Sequence, residues 1–305
     1  MFRRSSCTST EVVSWKERTF IFTLSTVQSI QPVNSVQVRL RLNPTFIHLK
    51  VFENQGTHLC FVSFSDERGY RVSDGTFGSH SSYNTDAFGR IINPGMGFTT
   101  STWYHSGGGH GGSGGRDQSQ SRGGLAYDDI YEPDEFGSSG GGTYGGRGGG
   151  RIWINVTNTL HIDGIVSADG GDAGINGGHS GGGGAGGSIW IHTNVLAGYG
   201  TIQTLGGDGS GYVSGNDIRT GGGGGGGRIA LYMQENITFS EFNFEVYGGA
   251  PGHVATGEYG GSGTAFVYHL QHEHRTLIVD NNGNAHPRNQ QSQVYPYIDF
   301  ENADS

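Results

Sequence analysis

Aliphatic residues spaced two apart mark four short segments of this chain, and each segment follows a run of glycines. The segments begin at Arg151, Ser188, Arg228 and Thr264. Their second and fourth positions are Ile152 and Ile154, Ile189 and Ile191, Ile229 and Leu231, and Ala265 and Val267. That spacing puts both aliphatics on one face of a β-strand. The third positions are Trp153, Trp190, Ala230 and Phe266, so the opposite face is partly aromatic. A second anchor, a pair of glycines, recurs at 170–171, 206–207 and 248–249. Strand starts lie 37, 40 and 36 residues apart, and glycine pairs 36 and 42. Two anchors with matching periods identify a repeat protein whose unit reads strand, turn, strand, glycine loop.

One such unit cannot bury its own apolar face. Stacking successive units about 4.8 Å apart makes continuous ladders of Ile and aromatic residues. The expected fold is therefore all-β: a parallel β-solenoid, β-helix-like, of about four to six coils. No segment sustains a helical period. The expected organisation is an N-terminal cap of strands over residues 1–58, with Val36–Leu42 alternating cleanly, and a solenoid domain over 59–283. The repeats are clear over 145–283, and 284–305 reads as a polar tail.

Composition changes the picture at one point. Of 305 residues 59 are glycine, and 51 of these fall within residues 107–263. Gly-X-Y periodicity is absent, which excludes a collagen triple helix. Glycine-rich tracts ordinarily behave as flexible linkers. Here they recur in register, abut strands directly and are interrupted by Tyr144 and His179. The expectation is an ordered packing of backbone on backbone, in extended or polyproline-II geometry, bonded across coils. Glycine has the highest ordering cost, so only repeated hydrogen bonding offsets it.

Residues 107–263 carry 15 acids against six arginines, which accounts for the whole net charge of −9. That balance disfavours nucleic acid as a partner. The longest apolar stretch, Thr19–Ile30, is too short and too polar to span a membrane. Arg3, Arg4 and Phe20–Leu24 imitate a signal peptide only weakly, with Glu11 and Glu17 between them. Cys7 and Cys60 allow at most one disulfide. Glycosylation sequons open at Asn155 and Asn236. No cofactor is expected: GxGxxG patterns occur outside any strand-to-helix context, and no phosphate-binding GxxxxGK[ST] exists.

The order GGGHGGSGG, YEPDEFGSSGGG, GGRGGGRIWI, GGGGAGGSIWI, GGGGGGGRIALY and LIVDNNG resembles glycine-rich repeat regions of very large extracellular and cell-surface proteins. The similarity covers roughly residues 60–283. The resemblance implies a β-helix-like module of an adhesive or matrix-type polypeptide, located outside the cell, and it supplies no catalytic residues.

Candidate chemistry is sparse. Aligning the glycine pairs puts Asp172 and Asp208 on neighbouring coils with Asp169 near; such carboxylates hold calcium, work on glycosides, or serve a solvated turn. Trp153 and Trp190 share a repeat position and form either core or a platform for sugar rings. His110 and His179 are flanked by glycine, and their expected role is to fill a gap while bonded to backbone. His269, His272 and His274 form the densest histidine cluster; on a strand 272 and 274 would share a face and offer two ligands, whereas a polar end to the repeat explains them more simply. The expected function is a non-enzymatic structural or adhesive module; the alternatives are a glycan-binding module and a polysaccharide-active enzyme. Its expected partners are glycans or further copies of itself.

Overall fold

The computed structural model describes strand backbone at residues 11–15, 18–22, 39–43, 46–51, 57–59, 84–85 and 91–92, then residues 93–99, 103–236 and 242–284. Cys7, Cys60, the 60–78 segment, residues 1–10 and the 285–305 tail lie outside them. The fold is a parallel β-solenoid with no helix among the described residues.

Its long sheet stacks five parallel strands in the order Phe46–Val51, Arg151–Ile162, Ser188–Ala197, Arg228–Asn236 and Thr264–His269. Register follows the repeat: Ile189 lies between Ile152 and Ile229, and Ile191 between Ile154 and Leu231. A second sheet stacks Ile165–Ser167, Thr201–Gln203 and Asn243–Glu245, also parallel. The core is the seam between the sheets, where the Ile row meets Val166, Ile202 and Val246. Each such aliphatic contributes about 1.5–3 kcal/mol by leaving water. Three complete coils result, fewer than the expected four to six, because only three strands of the long sheet have a described second-sheet partner.

The unequal repeat spacings have local causes. The first two strand starts are 37 apart, yet Leu196 pairs Leu160 at 36, because a β-bulge between Thr193 and Val195 absorbs one residue. The second coil is longer because an antiparallel hairpin, Gly211–Ser214 with Asp217–Thr220, projects from it. Antiparallel strands close the stack: Arg39–Asn43 lies against Phe46–Val51, and His274–Ile278 against Thr264–His269. An added outer strand changes the edge that a parallel stack would otherwise present for pairing.

The glycine segments form a third body of hydrogen bonds beside the sheets. Within residues 221–227, the N–H groups of 221, 224 and 227 donate to the carbonyls of Ser210, Gly207 and Thr204. Those of 222 and 225 donate to His105 and Gly108, and those of 223 and 226 to Glu258 and Gly261. The same segment accepts from Gly183 and Gly186, from Gly112 and Gly115, and from Gly249 and Gly252. Successive donors thus turn to three different neighbours with a three-residue period, the period of a polyproline-II turn. The bonds repeat coil by coil: Gly184 to Gly171, Gly224 to Gly207 and Gly260 to Gly249.

The upstream glycines do not add coils of their own. The 105–115 segment folds back on itself, with Gly107 donating to Gly115 and His110 to Gly112. Both arms then bond to the solenoid's glycine runs, Gly108 to Gly183 and Gly112 to Gly226.

Candidate functional site

Three places gather polar or aromatic chemistry: the turns that carry the stacked aspartates, the strand starts beneath the 127–136 loop, and the outer face of the long sheet.

At the turns, the aspartates hold the next coil. Asp172 Oδ1 accepts the Asp208 N–H at 2.7 Å, and Asp208 Oδ1 accepts the Ala250 N–H at 2.7 Å. Asp169 Oδ1 accepts the Leu205 N–H at 2.7 Å, one coil on. Asn281 Oδ1 performs the same service for Gly248 N at 2.9 Å. Burial, aided by the charge of Asp172 and opposed by the Ala250 N–H, raises the Asp208 carboxyl above its usual range. Among the described residues no group of three His, Cys, Asp or Glu side chains converges as a metal site. The arrangement predicts that Asp172→Ala costs about 1 kcal/mol in urea unfolding, equally with and without calcium. A loss seen only when calcium is present would restore the metal reading.

The strand starts form a polar row, Arg151, Ser188, Arg228 and Thr264, and this row grips the 127–136 loop. Arg151 donates to the Asp134 carbonyl, and its guanidinium lies 4.3 Å over the Phe136 ring. Ser188 Oγ lies 2.7 Å from the Glu135 carbonyl and 3.1 Å from Asp128 Oδ2, its single proton shared between the two acceptors. Arg228, with no exposed surface, donates Nε to the Tyr127 carbonyl at 2.9 Å and a terminal nitrogen to Thr264 Oγ1 at 3.0 Å. Burial lowers its pKa to about 10, with the Asp128 and Asp129 charges acting against that shift.

His110 completes this knot. Its Nδ1 lies 2.8 Å from the Gly186 carbonyl, as the gap-filling expectation had it, and its Nε2 lies 3.0 Å from Asp128 Oδ2. Both ring nitrogens face acceptors. Burial pushes the Asp128 carboxyl up, but the His110 bond and charge and the N–H groups of Asp129 and Glu135 outweigh it, and the net shift is downward. Serine, histidine and aspartate meet here without a nucleophile's geometry. Ser188 bonds to the carboxylate rather than the imidazole, whose two nitrogens are directed at Gly186 and Asp128 instead. The sequence singles out His110 but not its partner Asp128, which lies 18 residues away outside the repeat. The one available signal was that the repeat's first positions are polar.

On the outer face, aromatic rings run across successive strands. Trp153 and Trp190 stack with centroids 5.9 Å apart at 27°, both partly exposed. The line continues through His192, which lies parallel to Tyr232 at 4.6 Å and 3°. Beyond it Tyr232 approaches Phe266 at 5.9 Å and Tyr268 at 6.0 Å. The 127–136 loop covers one end, where Tyr131 meets Phe266 edge-on at 4.8 Å and its carbonyl accepts the Tyr232 hydroxyl at 2.8 Å. The two tryptophans therefore belong to a longer aromatic surface that is neither sealed core nor bare platform. Burial lowers the His192 pKa, while burial and then Glu132 raise that of Tyr232 to about 12.

The remaining candidates scatter. His179 stacks on Trp103 at 4.6 Å, with the Arg219 guanidinium 3.9 Å over the same indole. His272 sits in a turn and His274 on a strand, so the two do not share a strand face. Asn155 lies partly exposed on the outer face, whereas the segment following Asn236 lies outside the described residues. No helix among the described residues is long and apolar enough to cross a membrane. Comparison with protein-family models, with curated proteins and with solved structures finds no match for this chain.

Proposed function

We propose that this chain is a non-enzymatic structural and adhesive repeat module that acts outside the cell within a larger surface or matrix polypeptide. The observation that carries the reading is the glycine body: every third N–H of residues 221–227 returns to the same neighbouring segment. We read these segments as polyproline-II strands packed side by side, a stiff element rather than a linker. The groups that would otherwise suggest chemistry hold backbone in place: Asp169, Asp172 and Asp208 between coils, His110 and Asp128 beneath the loop. The resemblance to glycine-rich extracellular repeats supports the location. No catalytic residue or cofactor enters the proposal.

Hydrogen exchange tests it. Amides of Gly183, Gly186, Gly222 and Gly225 are expected to exchange as slowly as those of Ile189 and Ile229 in the sheet, in one cooperative unit. Glycine amides that exchange within the dead time would mark flexible linkers and overturn the spacing role.

A further inference from the structure

The outer face of the long sheet carries an open groove of about 360 Å³, lined by residues of three successive strands. A bulge in the first of these falls within the lining, at Thr157. Asn194 sits where two residues of the Arg151–Ile162 strand face one of its neighbour, and its Nδ2 donates to the Thr157 carbonyl at 2.5 Å. Bulges re-aim side chains and recur beside functional sites. Three amides, Asn155, Asn194 and Gln234, surround the parallel ring pair of His192 and Tyr232. Asn194 and Gln234 are exposed, and the other three are partly so.

The chemistry of this lining is selective. It contains no Asp, Glu, Lys or Arg, so no charged side chain lines it to pair with a phosphate, a uronate or a cationic ligand; the charges of Glu132 and Arg275 act on Tyr232 from outside the lining. An amide offers a donor and an acceptor side by side, which suits a ligand whose hydroxyls do both. Aromatic rings beside the amides offer apolar area to the C–H faces of such a ligand. The groove is open and crosses the strands, unlike the enclosed pockets that surround small cofactors. A ligand that fills it runs along the stacking axis, meeting a new strand about every 4.8 Å.

We propose that this groove binds a neutral, extended oligosaccharide, held by the Asn155, Asn194 and Gln234 amides against the His192–Tyr232 rings. The site deepens the adhesive half of the function proposed above, giving it a ligand class; the stiffness of the glycine body stands or falls separately. Asn155 also opens a sequon, so protein made in a host without N-glycosylation keeps the groove free.

The test is titration of the full chain, followed by NMR or calorimetry. The panel is neutral oligosaccharides derived from cellulose, xylan, mannan and chitin, with oligogalacturonate as the acidic comparator. At least one neutral member is expected to bind with a Kd below about 1 mM. Asn194→Ala combined with Gln234→Ala is expected to weaken it about tenfold or more, whereas Tyr199→Ala, at an exposed turn, leaves it unchanged. Glycine-amide protection on the same samples reports the fold, and Gln234→Ala alone serves if the double variant loses that protection. No neutral member binding up to about 10 mM, preference for the acidic comparator, or unaltered binding by the folded variant would each overturn the proposal. Failed binding with intact glycine protection would leave the spacing role standing.

Discussion

Gly224→Ala is expected to abolish the glycine body, lowering stability by at least about 4 kcal/mol in urea unfolding. A Cβ on Gly224 would overlap the Gly184 carbonyl and approach the Ala185 nitrogen, both backbone. Overpacking costs about 1–3 kcal/mol where side chains can shift. No side chain is present to shift here. Moving the 184 segment would instead stretch the bonds Gly184 makes to Gly171 and accepts from Gly207, at about 1–3 kcal/mol for each group left unpaired. Gly174→Ala is the control: its Cβ would sit 3.6 Å from the Tyr144 Cβ, an ordinary contact. That variant is expected to match the wild type or exceed it slightly, since alanine reduces the freedom of the unfolded chain. Equal stability of the two variants would mean that the glycine segments are not packed backbone to backbone.

The second large effect is expected from Asp128→Ala, about 3–5 kcal/mol. The carboxylate is nearly buried and accepts from His110 Nε2, Ser188 Oγ and the N–H groups of Asp129 and Glu135. Removing it takes the carboxylate partner from His110 and the charge that most favours the buried Arg228 guanidinium, and it frees the loop that Arg151, Ser188 and Arg228 grip. The pH dependence has a definite sign. The Asp128 pKa is lowered in the folded state, so its contribution is fully present above the ordinary value of 3.8 and is lost as pH falls through the lower folded value. Glu135 acts oppositely: burial, then the Asp128 and Asp134 charges, raise its pKa, and its contribution declines as pH rises above 4.5. Acid unfolding of wild type and Asp128→Asn separates them, because the variant should lose the step below pH 3.8. A cost under about 1 kcal/mol for Asp128→Ala would show that the knot contributes little.

What could be read from the sequence was whatever repeats with a fixed interval. Ile152, Ile189 and Ile229 announce their face by alternation, and their pairing follows once the period is found. The strand starts at Arg151, Ser188, Arg228 and Thr264 were equally visible, but only as anchors of the repeat. Their partner, the 127–136 loop, has no period, and nothing local to Asp128 points to His110 or Arg228. By composition the 105–115 glycines look like those of the repeats and fall within the expected 59–283 domain; their actual place, bonded to the 183 and 226 runs, depends on a fold-back at His110. The bulge at Thr193–Val195 was legible only as a one-residue excess, 37 against 36, and the groove beside it was not legible at all.

The coil-by-coil bonds from Gly184 to Gly171, Gly224 to Gly207 and Gly260 to Gly249 enclose stretches of 12, 16 and 10 residues. Each bond is backbone to backbone, so beyond the glycines and aspartates that these stretches lend to the frame, Gly221, Gly222, Gly223, Asp172 and Asp208 among them, the frame is indifferent to what the tip spells. Lengthening a tip costs only about 0.6 kcal/mol per doubling of a flexible loop. Mutation can therefore rewrite the tips, including the Gly211–Thr220 hairpin, while the frame is inherited unchanged. A rigid glycine frame with tips free to vary gives one scaffold many faces, and those tips are the natural sites for grafting a foreign epitope.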